Sequence, residues 1–321
     1  MKEVVRRVTA PHVVPRSDPR RAEVLSTIDT AIGAGMRLLL HHPAFRELEA
    51  LWRALYFLVR GVETGPRLHI SLLDLSRSEL AADLDGTAAA GALRRLLQGD
   101  ALGARPALLV AAWEFGKSDE DLALLGALAE LGRQVGAPCL TAGTPDLVGA
   151  SDSASLAEPE AWEPQAAGWE TLRRHADGAW LGVVLPRFLL RLPYGADGEE
   201  CEGLAFEELS SPPLAHEYVW GNPAIACASL LAQSFSAEGW GMRPGTHREI
   251  DDLPLYLARV DAEIMAQPAA EVLLPETATE RLLDLGVMPL ASIHERGAAR
   301  LLRFQSIADP PAPLAGRWAT A

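Results

Sequence analysis

An α/β fold, with a mostly parallel sheet covered by helices and a less regular C-terminal half, follows from three features of the 321-residue chain. Residues 107–113 and 138–142 are apolar runs of strand length. A helical repeat lies between them, and a further strand-like run at 67–74 precedes them across another helical stretch. Continuously apolar strand centres mark strands covered on both faces. The strand, helix, strand order supplies the crossovers that parallel neighbours require.

The elements follow in chain order. Residues 1–24 carry Pro11, Pro15, Pro19 and five arginines, a composition that resists helix and reads as an N-terminal arm, with VVRRV able to pair as a strand. The body is expected over 25–307. Asp309-Pro310-Pro311-Ala312-Pro313 then stops regular structure and leaves 308–321 as a proline-rich tail. The first firm helix starts at His41-His42-Pro43. Phe45, Leu48, Trp52, Leu55 and Val59 recur at steps of three and four, widened by Leu51 and Leu58, so this face is expected to be buried. Pro43 suits the first turn, Gly61 the stop, and Glu49 with Arg53 forms an i,i+4 pair expected on the outer surface.

In Arg67 to Asp74, Leu68, Ile70 and Leu72 alternate with His69 and Ser71, which predicts a strand. Ser76 caps a helix reaching Leu84, and a second piece covers 91–98 before the break from Gly99 to Pro106. After the strand ending at Trp113, Ser118 and Asp121 make a capping-box-like start, and Leu124, Leu128, Leu131 and Val135 carry the next helix. Residues 151–167 read as a long surface connection. Trp180 to Leu185 predicts a strand, followed by PRFLLRLPYG and an acidic loop. Asn222-Pro223 opens a helix whose Ala224, Ala228, Leu231 and Phe235 share a face, with Gly239 at its stop; its small residues imply close packing.

A formal charge of −14 argues against nonspecific binding to nucleic acid or an anionic membrane. Cys139, Cys201 and Cys227 form neither a disulfide framework nor a CxxC metal knuckle, which fits a reducing compartment. Neither a signal peptide nor a membrane span is legible, so the cytoplasm is the expected location.

The residues that invite chemistry have plainer readings. His41-His42 lacks an HExxH or a second ligand cluster and reads as helix-entry packing and capping. Gly116-Lys117-Ser118 resembles the end of a P-loop, but position 111 is Ala where the earlier glycine belongs, leaving a turn with an N-cap. Asp74 and Glu114 end apparent strands, where α/β enzymes place catalytic groups, yet no GxSxG or paired His accompanies them. Cys139 and Cys227 sit among apolar residues and read as packing. Trp220 and Trp240 bracket a helix, as core or as interface anchors. No catalytic, cofactor or metal site is assigned.

Several segments in order resemble one family, the large subunit of the type VI secretion contractile sheath, TssC or VipB. They are His41-His42-Pro43-Ala44-Phe45-Arg46-Glu47-Leu48-Glu49 with Trp52-Arg53, LHISLLDLSRSELAADL from Leu68, Trp113-Glu114-Phe115, GAPCLTAGTPDLVG, LPRFLLRLPYG from Leu185, EYVWGNPAIACASLLAQSF from Glu217, Gly239-Trp240, DDLPLYL and LGVMPLAS. The resemblance covers about 28–307, and 25–307 is taken as the sheath-like domain. It implies a structural, non-catalytic subunit that pairs with a smaller TssB- or VipA-like partner and other sheath subunits around an inner tube, with the baseplate as a further contact. No nucleic acid, membrane or cofactor is implied. Contraction would draw on a metastable lattice rather than a chemical step. Family members continue into a C-terminal domain that supplies linking strands, which is expected to be lacking here. The alternatives are a soluble adaptor, cap or assembly regulator that does not polymerise, and an unrelated α/β enzyme.

Overall fold

The computed structural model describes residues 20–84, 91–99, 103–260, 263–294 and 296–320. The VVRRV strand expected near the N-terminus lies outside them. Strands β1 (Leu109–Phe115), β2 (Cys139–Gly143) and β3 (Leu181–Leu185) run parallel and adjacent. The expected helices are α3 (Arg77–Leu84) and α4 (Ala92–Gln98) before β1, and α5 (Asp119–Val135) between β1 and β2. Ser118 accepts the Asp121 N–H at the start of α5, and Gly136, at φ 77°, closes it.

Beyond β3 the chain makes a long excursion through the short strands β4 (Phe188–Leu189) and β5 (Trp220–Gly221), helix α7 (Pro223–Glu238), strand β6 (Glu249–Ile250) and a hairpin of β7 (Tyr256–Val260) and β8 (Glu263–Gln267). Helix α6 (Ala167–Arg174) precedes this excursion. After α8 (Glu276–Asp284), β9 (Val287–Ser292) returns parallel to β3, and β10 (Ala299–Leu301) and β6 complete the sheet antiparallel, in the order β1-β2-β3-β9-β10-β6. The mostly parallel α/β architecture and the less regular second half are therefore both present.

Side chains alternate between two cores, as a pleated sheet requires. Cys139, Leu181, Val183, Leu185 and Val287 face Leu125 and Leu128 of α5 and Trp169 of α6. Leu140, Val184, Met288 and Leu290 face Ala224, Cys227, Leu230 and Leu231 of α7. Asn222 ties α7 to the sheet: its side-chain oxygen caps the Ala224 N–H at 2.9 Å and its amide donates to the Trp113 carbonyl at 3.0 Å. Residues 302–320 run back over the sheet, with Leu314 and Trp318 buried in the α7-side core and the Ala315 N–H bonded to the Ala179 carbonyl at 2.8 Å.

Helix α2 (Pro43–Gly61) forms a further layer outside α7. Ala54, Leu58 and Val62 pack on Ile225 and Ala228, and a Cβ on Gly61 would lie only 3.2 Å from the Ser229 hydroxyl. The small residues of both helices thus permit the close packing expected for α7. Because α7 is covered by the sheet on one side and α2 on the other, it is apolar nearly all round.

Two expectations are corrected. Residues 67–74 form no strand: Arg67 lies in a turn, Leu68 makes an isolated bridge with Gly65, and 69–74 join no sheet. Leu68 and Ile70 are drawn into the layer between α2 and α7, away from a ladder with β1, and Leu72 and Leu73 are exposed. Residues 21–24, read as part of an arm, begin helix α1 (Arg21–Leu40).

Candidate protein interface

The apolar stripe of α2 is only partly buried as expected: Leu58 is buried and Phe45 and Leu55 are half-buried, but the rest of it turns outward. Leu48, Trp52, Tyr56 and Val59 are 55%, 60%, 62% and 53% exposed. The inward surface instead carries Arg46, Glu49 and Arg53 beside Ala54 and Leu58, so the Glu49–Arg53 pair, expected outside, faces the body at 2.7 Å. Single exposed apolar residues are ordinary, but an apolar stripe along a helix marks an interaction surface.

Helix α1 adds a second such face. Gly33 is its one buried residue, lying against Phe206, and Arg37 donates to the Glu207 carbonyl at 2.8 Å. Val24, Leu25, Ile28, Ile32, Leu38 and Leu39 are exposed. Leu25, Ile28, Ile32 and Leu39 follow the steps of three, four and seven that form a helix-packing seam.

Beneath α2 the charges are fully engaged. Arg191 donates through Nε to Glu49 at 2.7 Å, through Nη1 to Glu208 at 2.6 Å and the Leu192 carbonyl at 3.0 Å, and through Nη2 to Glu208 at 2.7 Å and Glu49 at 3.4 Å. All five guanidinium protons are therefore used. Burial works to lift the Glu49 carboxyl, but the bonds and charges of Arg191 and Arg53 outweigh it and hold the group below its ordinary value. Burial likewise opposes the charge on Arg191, and Glu208 with Glu49 overcomes it, raising its pKa. At the first turn, Arg46 donates to the Tyr218 carbonyl.

The residues singled out from sequence are not brought together. Asp74 is exposed in the unpaired segment. Glu114 closes β1 at 3.7 Å from Arg187, whose Nε donates to Glu271 at 2.8 Å. At the 116–118 turn, the Gly116 N–H is taken by Asp121 at 2.6 Å and the Lys117 N–H by Asp146 at 3.2 Å, while Lys117 itself pairs with Glu163 at 2.9 Å. Carboxylates thus occupy the donors a phosphate would need. His42 holds the N-cap position of α2 without a side-chain cap bond, and His41 closes α1.

Cys139 and Cys227 are buried; burial pushes the Cys139 thiol to about 12 and raises Cys227 as well. Trp220 is buried and donates to the Ala215 carbonyl at 2.7 Å, whereas Trp240 is partly exposed against Phe235 and Arg317. Among the described residues, no group of three or more His, Cys, Asp or Glu is placed to hold a metal ion, and no helix is long and apolar enough to cross a membrane.

Glu114 gives a pH test. Burial raises its pKa, with Glu271 and Glu47 acting the same way and Arg187 opposing. The associated stability is fully present below the unfolded-chain pKa, about 4.3, and is lost as pH rises through the higher folded value. Thermal melts of Glu114→Gln should match the unsubstituted chain near pH 4 and lie above it near pH 8, on the same reasoning.

Sequence reasoning finds the apolar stripe of α2 but turns Leu48, Trp52 and Val59 the wrong way, and it misses α1, Arg191 and Glu208. A signal for the orientation is present: Arg46, Glu49 and Arg53 share one helical face at steps of three and four, next to Ala50, Ala54 and Gly61. Small residues on that side suit close approach to an equally small-residue partner helix.

The site is thus an α/β scaffold of the binding-surface class, with apolar helix faces turned outward over a buried cluster of paired charges. Similarity to known proteins narrows the class. Residues 22–308 match the VipB family, described as EvpB/VC_A0108, tail sheath N-terminal domain. The chain belongs to this family of type VI secretion sheath proteins. The type VI secretion system sheath protein TssC1 of Pseudomonas aeruginosa is 30% identical over 306 residues, covering 89% of this chain. This chain spans 61% of that relative's length.

Proposed function

We propose that the chain is a structural subunit of the type VI contractile sheath, working in the cytoplasm by assembling with a TssB-like small subunit and then with further sheath subunits. The observation that carries this reading is the outward apolar face of α2, continued by the exposed seam of α1. A partner that covers Leu48, Trp52 and Val59 gains the transfer free energy this chain leaves unused, about 1.5–3 kcal/mol for each large side chain fully buried. No chemical step enters this function. The work of contraction is stored in two packings of one lattice, which fits a subunit whose buried charges serve to orient helices.

The test is co-expression with a TssB-like small subunit, followed by size-exclusion chromatography and electron microscopy. Tubules are expected from a polymerising subunit. A small soluble complex would instead favour the adaptor, cap or regulator reading, and absence of any complex overturns the proposal. Because the chain spans 61% of its relative, polymerisation is tested separately from capture.

A further inference from the structure

We propose that the Glu49–Arg191–Glu208 cluster sets the rotation of α2 about its own axis, and so decides which face of the helix is offered to a partner. Arg191 and Glu49 are positioning residues in this scheme, and the inference rests on the reading of the outward face as an interface.

Two rotations of α2 compete. The one that is not observed would turn the large side chains Leu48, Trp52 and Val59 onto α7 and the charged stripe to water, in exchange for the burial that Ala54, Leu58 and Val62 have in the observed rotation. The observed rotation needs a specific contact to select it.

Arg191 supplies it because Glu208, which lies outside α2, anchors the guanidinium from the other side. Its side chain is 4% exposed, and Glu208, 1% exposed, holds one edge of the guanidinium through Nη1 and Nη2. The Tyr194 ring lies 4.6 Å from it, and the Tyr194 N–H fixes Glu208 at 2.8 Å. What remains is the edge carrying Nε and the second Nη2 proton, which points at α2. In the observed rotation Glu49 meets that edge at 2.7 and 3.4 Å. In the competing rotation both protons would be stranded in a nearly dry site, and an unpaired buried charge-bearing donor is among the most destabilising faults a fold can carry.

Glu49 is also held from its own helix. Arg53, one turn on, binds the same Oε1 at 2.7 Å, and its Nη2 lies 3.5 Å from the Tyr194 hydroxyl. The carboxylate is thus clamped from both elements. The charges of Arg191 and Arg53 balance those of Glu49 and Glu208, so the observed rotation leaves no net charge in the contact.

The experiment uses the full chain without any partner. Glu49→Leu leaves the Nε edge of Arg191 without its acceptor in either rotation, so the two rotations no longer differ in that penalty, while Glu208 still holds the other edge of the guanidinium. Hydroxyl-radical footprinting read by mass spectrometry reports Trp52 and Tyr56 individually. A turned-in rotation populated to about nine-tenths lowers their oxidation about ten-fold. Glu49→Gln, which keeps an acceptor in reach of Nε, should retain the unsubstituted rates within about two-fold, a rescue that a merely destabilising change would not show.

Unchanged Trp52 and Tyr56 rates in folded Glu49→Leu overturn the latch. Should the leucine variant not fold, Glu49→Asp, one methylene too short to span the contact, is footprinted in its place: slowed oxidation of the two rings supports the latch, and unchanged oxidation overturns it. Co-purification with a TssB-like subunit is measured on the same proteins, and Glu49→Leu should lose it. If the unsubstituted chain fails to capture that subunit, the interface reading falls, while the footprint still decides for or against the latch.

Discussion

Leu48→Glu combined with Trp52→Glu should abolish capture of a small sheath subunit and leave the melting midpoint of the free chain nearly unchanged. Both side chains are more than half exposed, so carboxylates there meet water in the free protein. Surface substitutions of this kind usually move stability by no more than about 0.5 kcal/mol. In the complex the same positions would be desolvated. Removing an aromatic anchor at the centre of an interface commonly costs about 2 kcal/mol or more, roughly thirty-fold in affinity, before the added burial of an unpaired charge. Pull-down and circular-dichroism melting on the same preparations check the two halves of the expectation. Loss of folding together with capture would mean that the stripe packs against this chain's own body, contrary to its exposure in the structure.

The second large effect concerns α6. Trp169→Ala should destabilise the chain by about 3–5 kcal/mol, read as a fall in the urea midpoint with the slope of the transition retained. Trp169 is fully buried in the α5-side core and its indole N–H donates to the Leu285 carbonyl at 3.3 Å. One turn later Arg173 donates to the Asp284 carbonyl at 2.8 Å and the Ile307 carbonyl at 2.9 Å. The pair thus clamps the turn between α8 and β9. Gly286 in that turn has φ 78°, and a Cβ there would lie 2.7 Å from the Ile307 carbonyl oxygen, so the turn packs closely on the returning segment. Trp169→Phe keeps most of the volume and should cost well under half as much, about 1–2 kcal/mol. An alanine variant with an unchanged midpoint would show that the cavity collapses, against the clamped geometry.

Several elements are legible before any coordinates because local chemistry decides them. Ser118 and Gly136 delimit α5, and Asn222 with Pro223 starts α7. Strands β1, β2 and β3 follow from apolar runs of strand length bounded by breaks. The family resemblance is carried by segments such as LPRFLLRLPYG and EYVWGNPAIACASLL, which also contain Arg191 and the sheet-facing surface of α7. The strand expected at 67–74 fails because alternation states only that two sides differ. Leu68 and Ile70 find their cover between helices, and no ladder with β1 is needed to bury them.

The stripe on α2 shows where local reading ends. Periodicity places Leu48, Trp52 and Val59 together on one face, but it contains no information about what lies on either side of the helix. That is settled by Arg191, 142 residues from Glu49 in the chain, and by the small-residue surface of α7. The amino-acid order alone therefore determined the α/β class, the main helices and strands and their ends, and the existence of a strong apolar stripe near the N-terminus. Only the tertiary structure decided that Leu48, Trp52 and Val59 of this stripe face water, because a buried guanidinium demands its carboxylate at a fixed place in space, and that demand comes from residues no local window contains.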